Sequence, residues 1–154
     1  MSNFAATIPG PVTDTYATEE LAIGTLYMED GKMYRFVKAV DLDLAIGYVL
    51  GSGSATEWHV TTDRALGSAV GGRCAGVALG TVDISEKPYC WVQVAGYCSN
   101  VATDTNVAAG NFLVIAADNL CAPMPDGADE EQVFGFAPAA DDEAVGTAIL
   151  QGII

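Results

Sequence analysis

Residues 89–98, YCWVQVAGYC, constrain the fold more than any other stretch. They alternate as a half-buried strand must, with Cys90, Val92, Val94 and Cys98 on one face and Trp91, Gln93, Ala95 and Tyr97 on the other. It is read as the central strand of the fold. Residues 85–88, SEKP, carry turn chemistry, and the apolar, β-branched residues 76–84, GVALGTVDI, supply the partner of a hairpin.

The 154 residues suffice for one domain with a real core, and 51% hydrophobic against 17% charged residues argue for a folded chain. Seventeen glycines without a heptad pattern point to many short strands joined by tight turns. The fold class expected is all-β, a small β-barrel or β-sandwich of short antiparallel strands and hairpins. Twenty acidic against six basic residues give a formal charge of -14, with no Lys or Arg after Lys87. Such a surface lacks the cations that phosphates require, which argues against direct nucleic-acid binding and against an anionic membrane. It serves a solvated outer face or attracts a basic partner.

Residues 1–14 have no basic, apolar leader pattern, and no apolar run approaches the roughly 20 residues of a membrane span. The expectation is a protein made in a cytoplasm. Cys90 and Cys98 would lie about 26 Å apart on one extended strand at roughly 3.3 Å per residue, too far to bridge. With Cys74 and Cys121 they read as small buried hydrophobes.

Residues 1–20, with Pro9, Gly10 and Pro11 among small polar residues, read as an extended N-terminal arm ahead of a single β-rich domain at 21–154. Phe4, Ile8, Val12 and Tyr16 give the arm anchors, either for a neighbour or for nothing if the terminus frays. Strands are expected at 21–27, 33–40, 45–50, 58–62, 111–116, 120–124 and 145–154. Asp30-Gly31 forms the first tight turn. In residues 33–40, Tyr34, Phe36 and Lys38 oppose Met33, Arg35, Val37 and Ala39. Residues 51–57, GSGSATE, and 63–72, DRALGSAVGG, are loops, 99–110 is a polar turn region, and 125–131 is an acidic exposed loop. One internal echo appears: Gly76-Val77-Ala78 with residues 92–96 resembles Gly135-Phe136-Ala137 with residues 149–152.

Chemistry is sparse. His59 is the only histidine, so no transition-metal site and no cofactor is expected. Ser52 or Ser54 with His59 and Asp63 would make a hydrolytic triad, without the G-x-S-x-G elbow. Asp126, Asp129, Glu130 and Glu131 lack the calcium-loop pattern. The glycine cluster at 63–72 does not end in the Lys-Ser/Thr of a phosphate loop. A domain without a catalytic constellation suits binding or structural duty better than catalysis.

Three stretches carry a family resemblance: GTLYMEDGKMYRFVKAV, VQVAGYCSNVATDTNVAAGNFLVIAADN and FGFAPAADDEAVGTAILQGII. With Ala109-Gly110-Asn111-Phe112-Leu113 and Gly135-Phe136-Ala137 in the places of its A-G-[DN]-x-L and G-x-A strands, the chain resembles the tailed-phage capsid decoration, or cement, proteins. The segment GSGSATEWHVTTDRALGSAVGGR is an insertion relative to shorter members. The resemblance implies a non-enzymatic virion protein, often a homotrimer. It would bind the major capsid protein on the outer surface of the head and stabilise the shell against internal pressure. On that expectation Phe4, Ile8, Val12 and Tyr16 grip a capsid or subunit surface, and Trp58 makes a further contact, because an aromatic in a Gly/Ser loop is costly unless covered. The alternatives are another β-structured virion component, a head fibre base or tail tube subunit, or a small hydrolase using His59.

Overall fold

The computed structural model describes residues 8–41, 43–52, 58–62, 74–104, 106–117, 120–125, 133–141 and 145–151. Among them are eleven strands: β1 (Thr15–Tyr16), β2 (Leu26–Glu29), β3 (Lys32–Ala39), β4 (Val49–Ser52), β5 (His59–Thr61), β6 (Cys74–Ala78), β7 (Tyr89–Ala102), β8 (Phe112–Ala117), β9 (Leu120–Pro123), β10 (Gly135–Phe136) and β11 (Val145–Gln151). The all-β expectation holds, and no described residue is helical.

The central strand is where it was expected and is longer. β7 pairs with β3 along one edge of its first half, while β1, β6 and β11 pair in turn with residues 89–90, 92–93 and 95–102 along its other edge. Its first half closes a ring, β3-β5-β4-β6-β7 and back to β3, in which β3 and β5 run parallel and every other pair antiparallel. A second curl, β7-β11-β10-β8-β9, returns to β7 through a single bridge between Thr103 and Cys121. Among the described residues, β7 is the strand whose pairing belongs to both curls.

Two cores follow from this sharing. Val37, Leu50, Val60, Val92 and Val94 fill the first ring. Cys98, Val101, Leu113, Ala148 and Leu150 fill the second, together with Val49 and Val77 from the far side of β4 and β6. Because β4 and β6 feed one residue to each core in turn, they are buried on both faces.

The bend that turns β7 from one core to the next sits at Gly96, whose φ is +86°. A Cβ there would lie 2.6 Å from the carbonyl oxygen of Gly31 in the β2–β3 turn, so the turn and the bend occupy each other's space. Gln93, fully buried, donates from Nε2 to the carbonyls of Ala95 at 3.1 Å and Tyr97 at 3.0 Å, bridging the bend. A β-bulge follows: Ala148 faces Cys98 and Gly146 faces Val101, so Ser99 and Asn100 together oppose the single residue Thr147. The bulge restores Val101 to the core. It explains why residues 99–102, the start of the polar turn region expected at 99–110, continue the strand.

Other boundaries also move. The first hairpin uses residues 26–29 rather than 21–27, with Asp30 and Gly31 at φ 49° and 75° as its two-residue turn. The strand expected at 45–50 begins only at Val49, because Tyr48 N donates to Ala45 O and makes residues 45–48 a turn. The hairpin partner expected at 76–84 is β6, ending at Ala78, with Val82 bridging Leu44 instead. Its turn is tied by Asp83, whose carboxylate accepts from the amide and hydroxyl of Ser85 and is held below its ordinary value by those bonds. The echo is real as pairing, Val77 with Gln93 and Phe136 with Ile149, although the two registers differ by one residue. The loops expected at 63–72 and 126–131, and the last three residues of the closing strand, lie outside the described residues.

All four cysteines are buried and unbridged. Burial pushes the thiols of Cys74, Cys90 and Cys121 up to about 12, and that of Cys98 upward. The folded chain therefore holds these protons while an unfolded chain begins to release them near pH 9. Their contribution is complete below that pH and is lost as pH rises towards 12, by at most about 1.4 kcal/mol per thiol per pH unit. Denaturant midpoints are expected to fall between pH 8 and 10.5, with a shallower slope in Cys90→Val. Gly96→Ala is expected to cost about 2–4 kcal/mol in denaturant unfolding, from left-handed strain plus the clash with Gly31. Gly110→Ala, at φ +88° with open space around it, is expected to cost about 1 kcal/mol.

Candidate functional site

Two surface-near clusters gather the residues that the sequence singled out. The first is aromatic and lies on the outer face of the first ring. β3 turns Tyr34 and Phe36 outward, opposite Val37 and Ala39, and β7 adds Trp91. The phenylalanine ring packs edge-on against Trp91 at 5.2 Å and Tyr16 at 5.7 Å, and stacks on Tyr89 at 6.2 Å. Ile8, Val12 and Tyr16 all lie on this cluster, and β1 fixes the approach by pairing Thr15 with Cys90 and Tyr16 with Tyr89. Three of the four arm anchors therefore contact the chain's own barrel, and Phe4 lies outside the described residues.

The Tyr16 hydroxyl is buried without a hydrogen-bond partner, as is the indole N–H of Trp91. Burial, and then the Asp14 carboxylate, raise that phenol above its ordinary value.

The second cluster surrounds Trp58, directly ahead of β5. Its carbonyl accepts from Lys38 N at 3.1 Å, which anchors the residue to the end of β3. The indole, 42% exposed, covers the Arg35 guanidinium, whose Cζ lies 3.8 Å from the ring centroid, and rests on Gly24 from the other side. Arg35 is only 3% exposed, and its Nε and Nη1 have no hydrogen-bond partner. Burial lowers its pKa, yet a guanidinium stays charged. In a chain with twenty carboxylates, a buried cation whose main partner is an aromatic face is a costly arrangement. Sequence reading placed Arg35 on the correct face of β3 and gave it no role. The signal was there: a lone cation on a strand face otherwise occupied by Met33, Val37 and Ala39.

The catalytic alternative finds little geometry. Ser52 opposes Val60 across β4 and β5, so alternation turns it to the face opposite His59. Ser54 and Asp63 lie outside the described residues. Among the described residues, no three His, Cys, Asp or Glu side chains converge as metal ligands; Asp126, Asp129, Glu130 and Glu131 are outside them.

No family model matches the chain, and no curated protein is similar to it. Among solved structures it is similar to the N base of the head fiber protein gp8.5 of bacteriophage phi29. The TM-score is 0.53 at 15% identity, over 80% of this chain and 98% of that one. The likeness is one of fold. It covers nearly all of the phage domain, so the shared architecture is the whole base rather than a fragment of it.

Replacing the Arg35 charge by an apolar group of similar length removes the desolvation cost and forfeits the contact with Trp58. Arg35→Met is expected to raise stability by about 1–3 kcal/mol in denaturant unfolding, whereas Trp58→Ala lowers it by leaving the cation uncovered.

Proposed function

We propose that the chain is a structural virion component that attaches to the head of a tailed phage. The observation carrying this reading is the fold likeness to a head-fibre base along 98% of that domain. The scarcity of reactive groups and the acidic surface agree with a protein that works by contact.

A second reading, reinforcement of the shell as a cement protein, draws on the segments that resemble that family. The pieces 109–113 and 135–137 are neighbours: Phe112 pairs with Phe136 and Leu113 with Gly135. Both readings place the protein on the outer surface, with the major capsid protein as partner and three copies acting together. A trimer engages three weak sites at once, so modest contacts suffice.

Light scattering is expected to give the mass of a trimer, and the trimer to co-sediment with heads lacking it until a fixed ratio is reached. Heads that then survive heating better favour reinforcement; heads bound but no hardier favour a base. A monomer that never sediments with heads contradicts the proposal.

A further inference from the structure

The outer face of the second curl carries a ribbon of apolar side chains that crosses four strands. Register sets it: Tyr97 of β7 faces Ile149 of β11, Ile149 faces Phe136 of β10, and Phe136 faces Phe112 of β8. Residues paired directly across strands project to the same face, so the four form one row, about 14 Å long at roughly 4.8 Å per strand spacing. Their chain neighbours Cys98, Leu150, Ala137 and Leu113 are all buried, which fixes the row on the outside. Tyr97 is 46% and Phe112 51% exposed, Phe136 and Ile149 are half-buried, and Val145, on the same face of β11, is exposed. Single exposed apolar residues are ordinary on a sheet; a contiguous row of large apolar side chains is not.

The charge of this half of the sequence points to what fits it. From residue 88 to the end of the chain there are nine Asp and Glu and no Lys or Arg. All nine fall in the segments connecting β7, β8, β9, β10 and β11. A second copy docked through the same face would bring two such sets together. Residues 1–87 offer no complementary surface in sum, with eleven acids against six bases. Membranes and nucleic acids repel the same charge.

We propose that the Tyr97–Ile149–Phe136–Phe112 ribbon is the docking face for a foreign protein surface that presents an apolar groove framed by Lys or Arg. The inference rests on the virion reading and sharpens it, since it makes the ribbon, rather than the arm, the part that meets the head. The row supplies the large apolar anchors of a binding hot spot, and the net negative charge of this half of the sequence steers a basic partner towards it.

The test uses the full chain and phage heads that lack it. Tyr97→Ser/Phe112→Ser removes the two most exposed anchors and leaves the core residues in place. Its affinity for heads is expected to fall about tenfold or more, with solution mass and thermal midpoint unchanged. Raising salt from about 50 to 500 mM is expected to weaken wild-type binding, as screening removes rim attraction. Phe112→Lys is expected to weaken binding further than Phe112→Ser, because a cation then faces a basic rim. If the wild type binds and the double variant binds equally well, the ribbon proposal falls and the virion reading stands. A double variant of altered oligomeric mass overturns it too, since the occupant is then a second copy. Phe112→Lys binding better than Phe112→Ser contradicts the basic rim. A wild type that does not bind heads removes the virion reading, and the ribbon's proposed partner with it.

Discussion

The structure depends on one strand changing cores without breaking. A period-two strand keeps a residue's face for its whole length, so Cys90 and Cys98 would point into the same core if β7 were straight. Gly96 supplies the backbone angle, Gln93 satisfies the carbonyls on either side, and the β2–β3 turn occupies the concave side, with Gly31 against the bend. The buried amide is the unusual choice. An apolar side chain would pack as well but would leave the Ala95 and Tyr97 carbonyls without this donor in a low-dielectric interior. Each curl then obtains half of its closure from a strand whose other half is held by the neighbouring core, and the two stabilise one another.

This sharing also determines the surface. The first ring has its spare face roofed by Tyr34, Phe36 and Trp91 together with Ile8, Val12 and Tyr16, so the beginning of the chain serves as cover for an aromatic layer. The second curl has no comparable cover among the described residues, and its spare face shows the ribbon from Tyr97 to Phe112. Two curls of one sheet, one covered and one uncovered among the described residues, leave the ribbon face suited to contact. Arg35 beneath Trp58 is a separate expense of stability near the margin of the first ring.

Much of the fold was legible because its determinants are local. The alternation of YCWVQVAGYC identified the central strand, Asp30-Gly31 the first hairpin turn, and the two faces of β3 were assigned residue by residue. Three features were not legible, each for a physical reason. Gly96 sits in a stretch whose alternation continues unbroken through it, so nothing in the period announces a bend. The extension of β7 through Ser99 and Asn100 requires a bulge, which a strict two-residue count reads as the end of a strand. The ribbon needs the spatial order β7-β11-β10-β8, which places residues 97, 149, 136 and 112 side by side. That order is set by long-range pairing rather than by any neighbourhood in the sequence. Ile8, Val12 and Tyr16, expected to grip a capsid or subunit surface, pack here on their own barrel, a contact set by the β1–β7 pairing rather than by the sequence of the arm.

The most direct measurement of the account is an electron cryomicroscopy reconstruction of heads saturated with the protein, at a resolution that traces strands. The account predicts a two-curl barrel seated on the outer shell, with Tyr97, Phe136 and Phe112 against the capsid and Lys or Arg of the capsid around them. Barrels seated through another face, with the ribbon turned to solvent, would contradict it.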